Sequence, residues 1–236
     1  MEHYNIHPKH FLAVDCVILG YNDGELCLLL YPRGFEPSKG AWSLMGGFVQ
    51  DGESSDDAAK RVLKKTTGLD DIFMRQVETF AKPNREPEAR VISIAYFALV
   101  RMDEHDKTCI RERGAHWWPI ADLPEIVFDH GEMVEKALVK LQEEAGYRLI
   151  GSELLGDKFT LLQLRKLHEA IFMREFDPGN FRKKIMSLNV LERLNEKDSS
   201  ESKKGAYYYK CINNTETKGL DRIVKVLNFF VKTNKS

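Results

Sequence analysis

Three acidic residues and a run of cations share one predicted helix, and their spacing bears first on metal chemistry. Gly47 is followed after five residues by Glu53. Asp56 and Asp57 come next, then Arg61-Val62-Leu63-Lys64-Lys65-Thr66-Thr67-Gly68-Leu69. Carboxylate oxygens presented on one face of a helix can hold magnesium or manganese against a diphosphate. Glu53, even with Asp56 or Asp57, offers too few anionic ligands for a hard cation competing with its own water shell. Lys64 and Lys65 follow on the same predicted helix, and cations there would repel such a metal ion. The expectation is a cleft with no metal, no cofactor and no catalytic residue, in a protein that is not an enzyme.

The elements that must position these residues alternate along the first half of the chain. Residues 11–19 form a buried apolar strand, Asn22-Asp23-Gly24 a tight hairpin turn, and residues 25–31 the returning strand. The helix over residues 52–65 starts with Ser54 and Asp57 spaced as a capping box, which sets acidic side chains at its positive end. Residues 91–101 form a long central strand. Residues 132–145 form an amphipathic helix with Met133, Ala137, Leu138 and Leu141 inward, stopped by Gly146. This predicts an α/β/α sandwich with a mixed sheet over residues 1–152.

The spacing of Gly47, Glu53, Arg61, Leu63, Gly68 and Leu69 resembles the Nudix hydrolase signature. Val62, Lys65 and Thr66 stand where that family places its three later glutamates. The flanking Trp42-Ser43-Leu44-Met45-Gly46-Gly47-Phe48-Val49 resembles the family's approach strand. Trp117-Trp118-Pro119-Ile120-Ala121-Asp122-Leu123-Pro124 resembles its later strand-turn segment. The resemblance implies a Nudix frame whose metal carboxylates are gone.

The second half reads differently. Residues 153–236 carry a net charge of +6 and residues 1–152 a net charge of −7, an asymmetry that hints at nucleic-acid binding in the basic part. Thr160, with Gln163 three residues on, opens a helix through Leu164, Leu167, His168, Ile171 and Phe172. Asp177-Pro178 starts another, over residues 178–188, with Phe181, Ile185 and Leu188 inward and Asn189 as its C-cap. A strand over 190–194, a polar loop over 195–205 and a strand over 206–211 complete a small winged helix-turn-helix domain. A closing segment around Leu220, Ile223, Leu227 and Phe230 has helical spacing. The predicted DNA-binding residues are Thr160, Asn180, Arg182, Lys183, Lys184 and Ser187, with Arg193, Lys203 and Lys204 on the wing. The partner is double-stranded DNA.

A Nudix-like domain followed by a winged helix resembles the Nudix-related transcriptional regulators. One branch of that group responds to ADP-ribose and another to a free pentose. Arg33-x-x-Glu36-Pro37-x-Lys39-Gly40-x-Trp42, Pro83-Asn84-Arg85-Glu86-Pro87-Glu88-Ala89-Arg90-Val91 and Asn180-Phe181-Arg182-Lys183-Lys184 extend the resemblance over nearly the whole chain. It implies a homodimer on a palindromic operator, released by an effector. Arg33, Lys39, Trp42, Glu53, Lys82, Arg90 and Trp117 are the candidate effector contacts, with Trp118 as an alternative to Trp117. Loss of the metal carboxylates favours an uncharged sugar, L-arabinose, and so a sugar-catabolism repressor. ADP-ribose, an active hydrolase with an altered metal site, and a protein-binding module stand as alternatives. No apolar run reaches the roughly 20 residues that span a bilayer. The four cysteines are scattered, as in a reduced cytoplasmic protein without membrane contact.

Overall fold

A computed structural model describes residues 6–70, 72–102, 114–199 and 205–212. The chain divides into two compact units, 1–20 with 27–137 and 21–26 with 138–236. Lys203, Lys204, Cys109 and the closing segment after residue 212 lie outside the described residues.

The first unit is built on a mixed sheet. Strand β1 (Phe11–Asn22) is buried along most of its length because both its faces are covered. It neighbours β2 (Glu25–Pro32) and β6 (Val91–Arg101), in the order β3-β2-β1-β6-β5. The start of β1 bonds the start of β6, Phe11 N–H to the Arg90 carbonyl at 3.1 Å, so these central strands run parallel. Strand β5 (Phe73–Phe80) pairs antiparallel with β6, and β7 (His116–Pro119) antiparallel with β2. The hairpin between β1 and β2 turns through Asp23 and Gly24 at φ 47° and 96°, the left-handed pair such a tight turn needs.

The predicted approach strand is broken in two, β3 (Trp42–Ser43) and β4 (Met45–Phe48), because the Leu44 N–H leaves the ladder for the ring of His130. Helix α1 (Ser55–Thr67) has the expected capping box, Ser54 with Asp57, and ends on Gly68 at φ 79°. It lays Ala58, Ala59, Val62 and Leu63 against Val14, Cys16 and Ile18 of β1. Helix α2 (His130–Tyr147) runs through Gly146 rather than stopping there; that glycine keeps a negative φ, and Arg148 N–H continues the pattern to the Glu144 carbonyl. Its first turn reaches the sheet face that carries Asp15. Leu138, expected inward, is half-buried.

The second unit contains α3 (Ser152–Leu155), β8 (Phe159–Thr160), α4 (Leu161–Phe172), α5 (Pro178–Ser187) and the hairpin β9 (Leu191–Asp198) and β10 (Ala206–Cys211). Its three strands lie in the order β8-β10-β9. Phe159, Leu164, Phe176, Phe181, Ile185, Leu191 and Tyr209 form its core. Strand β9 is longer than residues 190–194, which shortens the wing loop. Asn189 takes the left-handed conformation, φ 53°, one residue beyond the Leu188 C-cap.

His168 is fixed between α4 and α5. It is 2% exposed, donates from Nδ1 to the Leu164 carbonyl at 2.9 Å, and lies 5.8 Å from the Phe181 ring. Burial lowers its pKa from 6.5 to about 4. The folded state therefore resists a proton that the unfolded chain accepts. Stability from this group is complete above the unfolded value and is lost as pH falls toward the folded one. Unfolding of the winged-helix unit should lose on the order of 3 kcal/mol between those limits. His168→Leu should flatten that segment of the denaturation-midpoint profile, and matching profiles for the two proteins would show that His168 is not held neutral.

Candidate functional site

The concave surface of the first unit opens beside α1. A cavity of about 500 Å³ is lined by Tyr31, Met45, Gly46, Gly47, Arg61, Val62, Lys65, Thr66 and Ala115. The antiparallel ladder between β4 and β1 sets its rim. Gly47 leaves room for α1, since a Cβ there would sit 3.2 Å from the Val62 side chain. A Cβ on Gly46 would meet the Asp15 carboxylate at 2.3 Å and the Val14 carbonyl at 2.9 Å, so that position admits no side chain.

The acidic residues of the box are already engaged. Arg61 grips Glu53 with two bonds, Nε to Oε2 at 3.0 Å and Nη2 to Oε1 at 2.6 Å, and also donates to the Phe48 carbonyl. These bonds, with the Gln50 N–H, hold Glu53 below the usual carboxylate range. Asp57 is likewise lowered by the Ser54 hydroxyl and N–H it accepts from in the capping box. Asp56 accepts from the Tyr96 hydroxyl at 2.5 Å. Val62 points into the core, 5% exposed, while Lys65 and Thr66 face the cavity. This donor set does not fit the divalent cation that such a cleft holds in a hydrolase.

None of the seven candidate effector residues lines this cavity. Glu53 touches it only through Arg61. Arg33 lies 4.1 Å over the Phe35 ring and 5.1 Å from Phe128, and its Nε donates to the Pro37 carbonyl. Trp42 stands nearby in sequence, edge-on to Trp118 at 5.3 Å and to His116 at 5.4 Å. Lys39 is exposed in the loop between them. Trp117 faces the other side of β7, as strand alternation requires, and packs on the core beside Gly20. Its place against Trp42 is taken by Trp118. Lys82 pairs with Glu132 at 2.6 Å, and Arg90 donates to the Ala81 and Lys82 carbonyls, closing the loop over residues 81–90 on itself.

The residue that organises this loop was missed from sequence. Arg85 has a side chain only 1% exposed and binds Asp129 with both arms, Nη2 to Oδ1 at 2.7 Å and Nε to Oδ2 at 2.9 Å. Asp15 lies 3.7 Å from it and accepts from the Ser93 hydroxyl at 2.6 Å. His130 completes the cluster: Nδ1 accepts from the Leu44 N–H at 3.2 Å, and Nε2 lies 3.9 Å from Asp15. Burial lowers the His130 pKa, which keeps the ring neutral and able to accept that bond. A charged Arg inside an otherwise ordinary loop gave no periodic signal; only its place in the Pro83-Asn84-Arg85 segment marked it.

In the second unit, α5 shows Asn180, Arg182, Lys183 and Ser187 to solvent, with Lys184 half-buried. Asp177 caps the helix through the Asn180 N–H, and the Ser187 hydroxyl is spent on the Lys184 carbonyl. Arg182 and Arg193 come together in a recess of about 390 Å³ with Leu161, Leu162, Gly205, Ala206, Tyr207 and Tyr209. Arg193 and Lys197 each lie 4.6 Å from the Tyr207 ring. Thr160 does not belong in such a set. It is 3% exposed, caps α4 by accepting from the Gln163 N–H at 3.1 Å, and pairs with Tyr208 in the sheet. Lys197 and Tyr207 were not singled out from sequence, because β9 extends past the expected strand.

Residues 9–137 match the model of the NUDIX domain. The chain belongs to the Nudix family. Residues 151–211 match the model of the NrtR DNA-binding winged helix domain, downstream of the Nudix domain. The ADPR responsive transcriptional repressor NtrR of Acinetobacter baylyi is 26% identical over 195 residues, 80% of this chain and 78% of its own length. The ADP-ribose pyrophosphatase of Methanocaldococcus jannaschii is 30% identical over 135 residues, 57% of this chain and 77% of its own. The crystal structure of Shewanella oneidensis NrtR complexed with a 27mer DNA superposes with a TM-score of 0.77 at 27% identity, covering 85% of this chain and 93% of that one. The likeness to the regulator group thus falls on NrtR rather than on the arabinose branch expected from sequence.

The buried cluster of the Nudix domain predicts an asymmetric mutational response. Arg85→Ala leaves Asp129 and Asp15 buried without their cation and should cost about 3–5 kcal/mol. Lys82→Ala breaks only an exposed pair and should cost less than about 1 kcal/mol. Denaturant titration followed by tryptophan fluorescence reads this domain selectively, because all three tryptophans lie in it. Equal costs for the two variants would contradict the role given to Arg85.

Proposed function

We propose that this chain is an ADP-ribose-responsive transcriptional repressor with a Nudix domain that binds its ligand without hydrolysing it. One observation carries the choice of effector. Two relatives that differ in activity, a repressor and a pyrophosphatase, share ADP-ribose by name, and the chain matches them over 195 and 135 residues. The cavity agrees: among the described residues its lining brings Arg61 and Lys65 and no carboxylate, which suits an anionic diphosphate better than a neutral pentose. L-arabinose is therefore set aside. The absence of metal carboxylates, which favoured a neutral sugar, is also compatible with a diphosphate held by a side-chain cation such as Lys65.

In this reading the exposed face of α5, Asn180, Arg182 and Lys183 with Lys184, enters the major groove, while Arg193 and Lys197 on β9 meet phosphates beside it. A homodimer would present two such helices to a palindromic operator. ADP-ribose would favour the arrangement that no longer matches the operator, by its differential affinity for the two states. The protein would act in the cytoplasm; among the described residues no helix is long and apolar enough to cross a membrane.

The operator can be obtained by selection from random duplex DNA with the full chain. Gel shifts on that sequence should show release by ADP-ribose and none by L-arabinose. Arg182→Ala and Arg193→Ala should each weaken binding about tenfold and lower the salt slope by about 1. Release by arabinose alone, or magnesium-dependent cleavage of ADP-ribose that Glu53→Gln abolishes, would defeat this assignment.

A further inference from the structure

The Nudix cleft of this chain has the opposite sign of charge from a metal-binding one. Arg61 and Lys65 are its charged lining residues. Arg61 is matched by Glu53, so it adds donors but little net charge. Lys65 is exposed, lies one helical turn after Arg61, and makes no ion pair among the described residues. Asp56 and Asp57, the remaining acidic residues at the start of α1, are held by Tyr96 and by the capping box. Among the described residues, a divalent ion entering here would meet an ammonium and no uncommitted carboxylate.

Neutral donors flank that ammonium. Val49 N–H donates to the Leu12 carbonyl while the Phe48 carbonyl accepts from Arg61, so β4 uses one edge for β1 and turns the other outward. By the alternation of an antiparallel ladder, Gly46 shares the outward edge with Phe48 and offers its N–H at the cavity rim. Tyr31 belongs to the same lining, and its phenol is a neutral donor whose pKa burial raises further. An ammonium with neutral N–H and O–H donors around it is a phosphate site of ordinary kind.

We propose that this cleft holds the diphosphate of its ligand with no divalent cation, and that Lys65 supplies the positive charge that a metal brings to the hydrolases of the family. The two arrangements exclude each other: a lysine at this point repels the metal, and the metal needs carboxylates that the chain has replaced by Val62, Lys65 and Thr66. The inference rests on the reading that the ligand is ADP-ribose. It goes beyond that reading by naming the counter-charge and by making binding independent of magnesium but sensitive to salt.

Calorimetry on the full chain tests it. ADP-ribose should bind with the same Kd, within about twofold, in magnesium and in EDTA. Lys65→Ala should weaken it about tenfold in both buffers, the loss of one charge-assisted contact. Lys65→Glu should weaken it further in EDTA and recover part of the loss on addition of magnesium. Binding that requires magnesium, or that Lys65→Ala leaves unchanged, overturns the proposal. If ADP-ribose binds in neither buffer, the effector reading fails. The cleft is then judged with ADP against adenosine in EDTA. Tighter binding of ADP that Lys65→Ala removes supports the diphosphate site, and equal affinities overturn it.

Discussion

The Nudix domain depends on one buried cation. Arg85 sits almost wholly out of water and is tolerable there only because Asp129 meets its guanidinium with both oxygens and Asp15 stands behind. Arg85 and these two partners come from three separate parts of the chain: the 81–90 loop, the residue before α2, and β1. None of the three can shift without stranding a charge. His130, one residue after Asp129, then reaches Leu44 and decides where the approach strand breaks. The position of β4, and with it the rim of the cleft, follows from that chain of contacts.

Elements whose cause is local were legible from the sequence. The capping box at Ser54 and Asp57, the Thr160–Gln163 pair, the Asp177-Pro178 start and the Asp23-Gly24 turn each set an element boundary, and each stands where expected. Elements whose cause is distant were not. Strand β5 mixes polar and apolar residues without clean alternation and exists because β6 offers it an edge. Gly146 looked like a stop because glycine often ends helices, yet nothing after it supplies the left-handed turn. Candidate contacts chosen by residue type also scattered. Lys82 and Arg90 fasten a loop, Trp117 fills the core, and Thr160 caps a helix. Whether a side chain is free depends on neighbours that no spacing rule records.

The sign of the cleft was legible, but its meaning was not. Lys65 and Thr66 were visible as departures from the hydrolase pattern, in positions where that pattern has carboxylates. That departure favoured an uncharged ligand, with ADP-ribose as the alternative, because a diphosphate usually arrives with its metal. On the structure, α1 brings a cation of its own, Lys65, to the cavity lining. The helix keeps the packing face of its family, with Ala58, Ala59, Val62 and Leu63 on β1, while its exposed face changes charge. Fold and chemistry are thereby separated on two sides of one helix.

Gly46 closes a path for descendants of this protein. Its missing side chain is required by Asp15 on one side, while its backbone borders the cavity beside α1 on the other. A lineage adapting to a new small molecule cannot try residues at that position without first dismantling the polar cluster behind it. Variation is channelled instead to Lys65 and Thr66 on α1 and, at some cost in core contacts, to Tyr31 at the end of β2. New specificity in this lineage would therefore be written on the helix and the β2 end, over a rim that stays fixed.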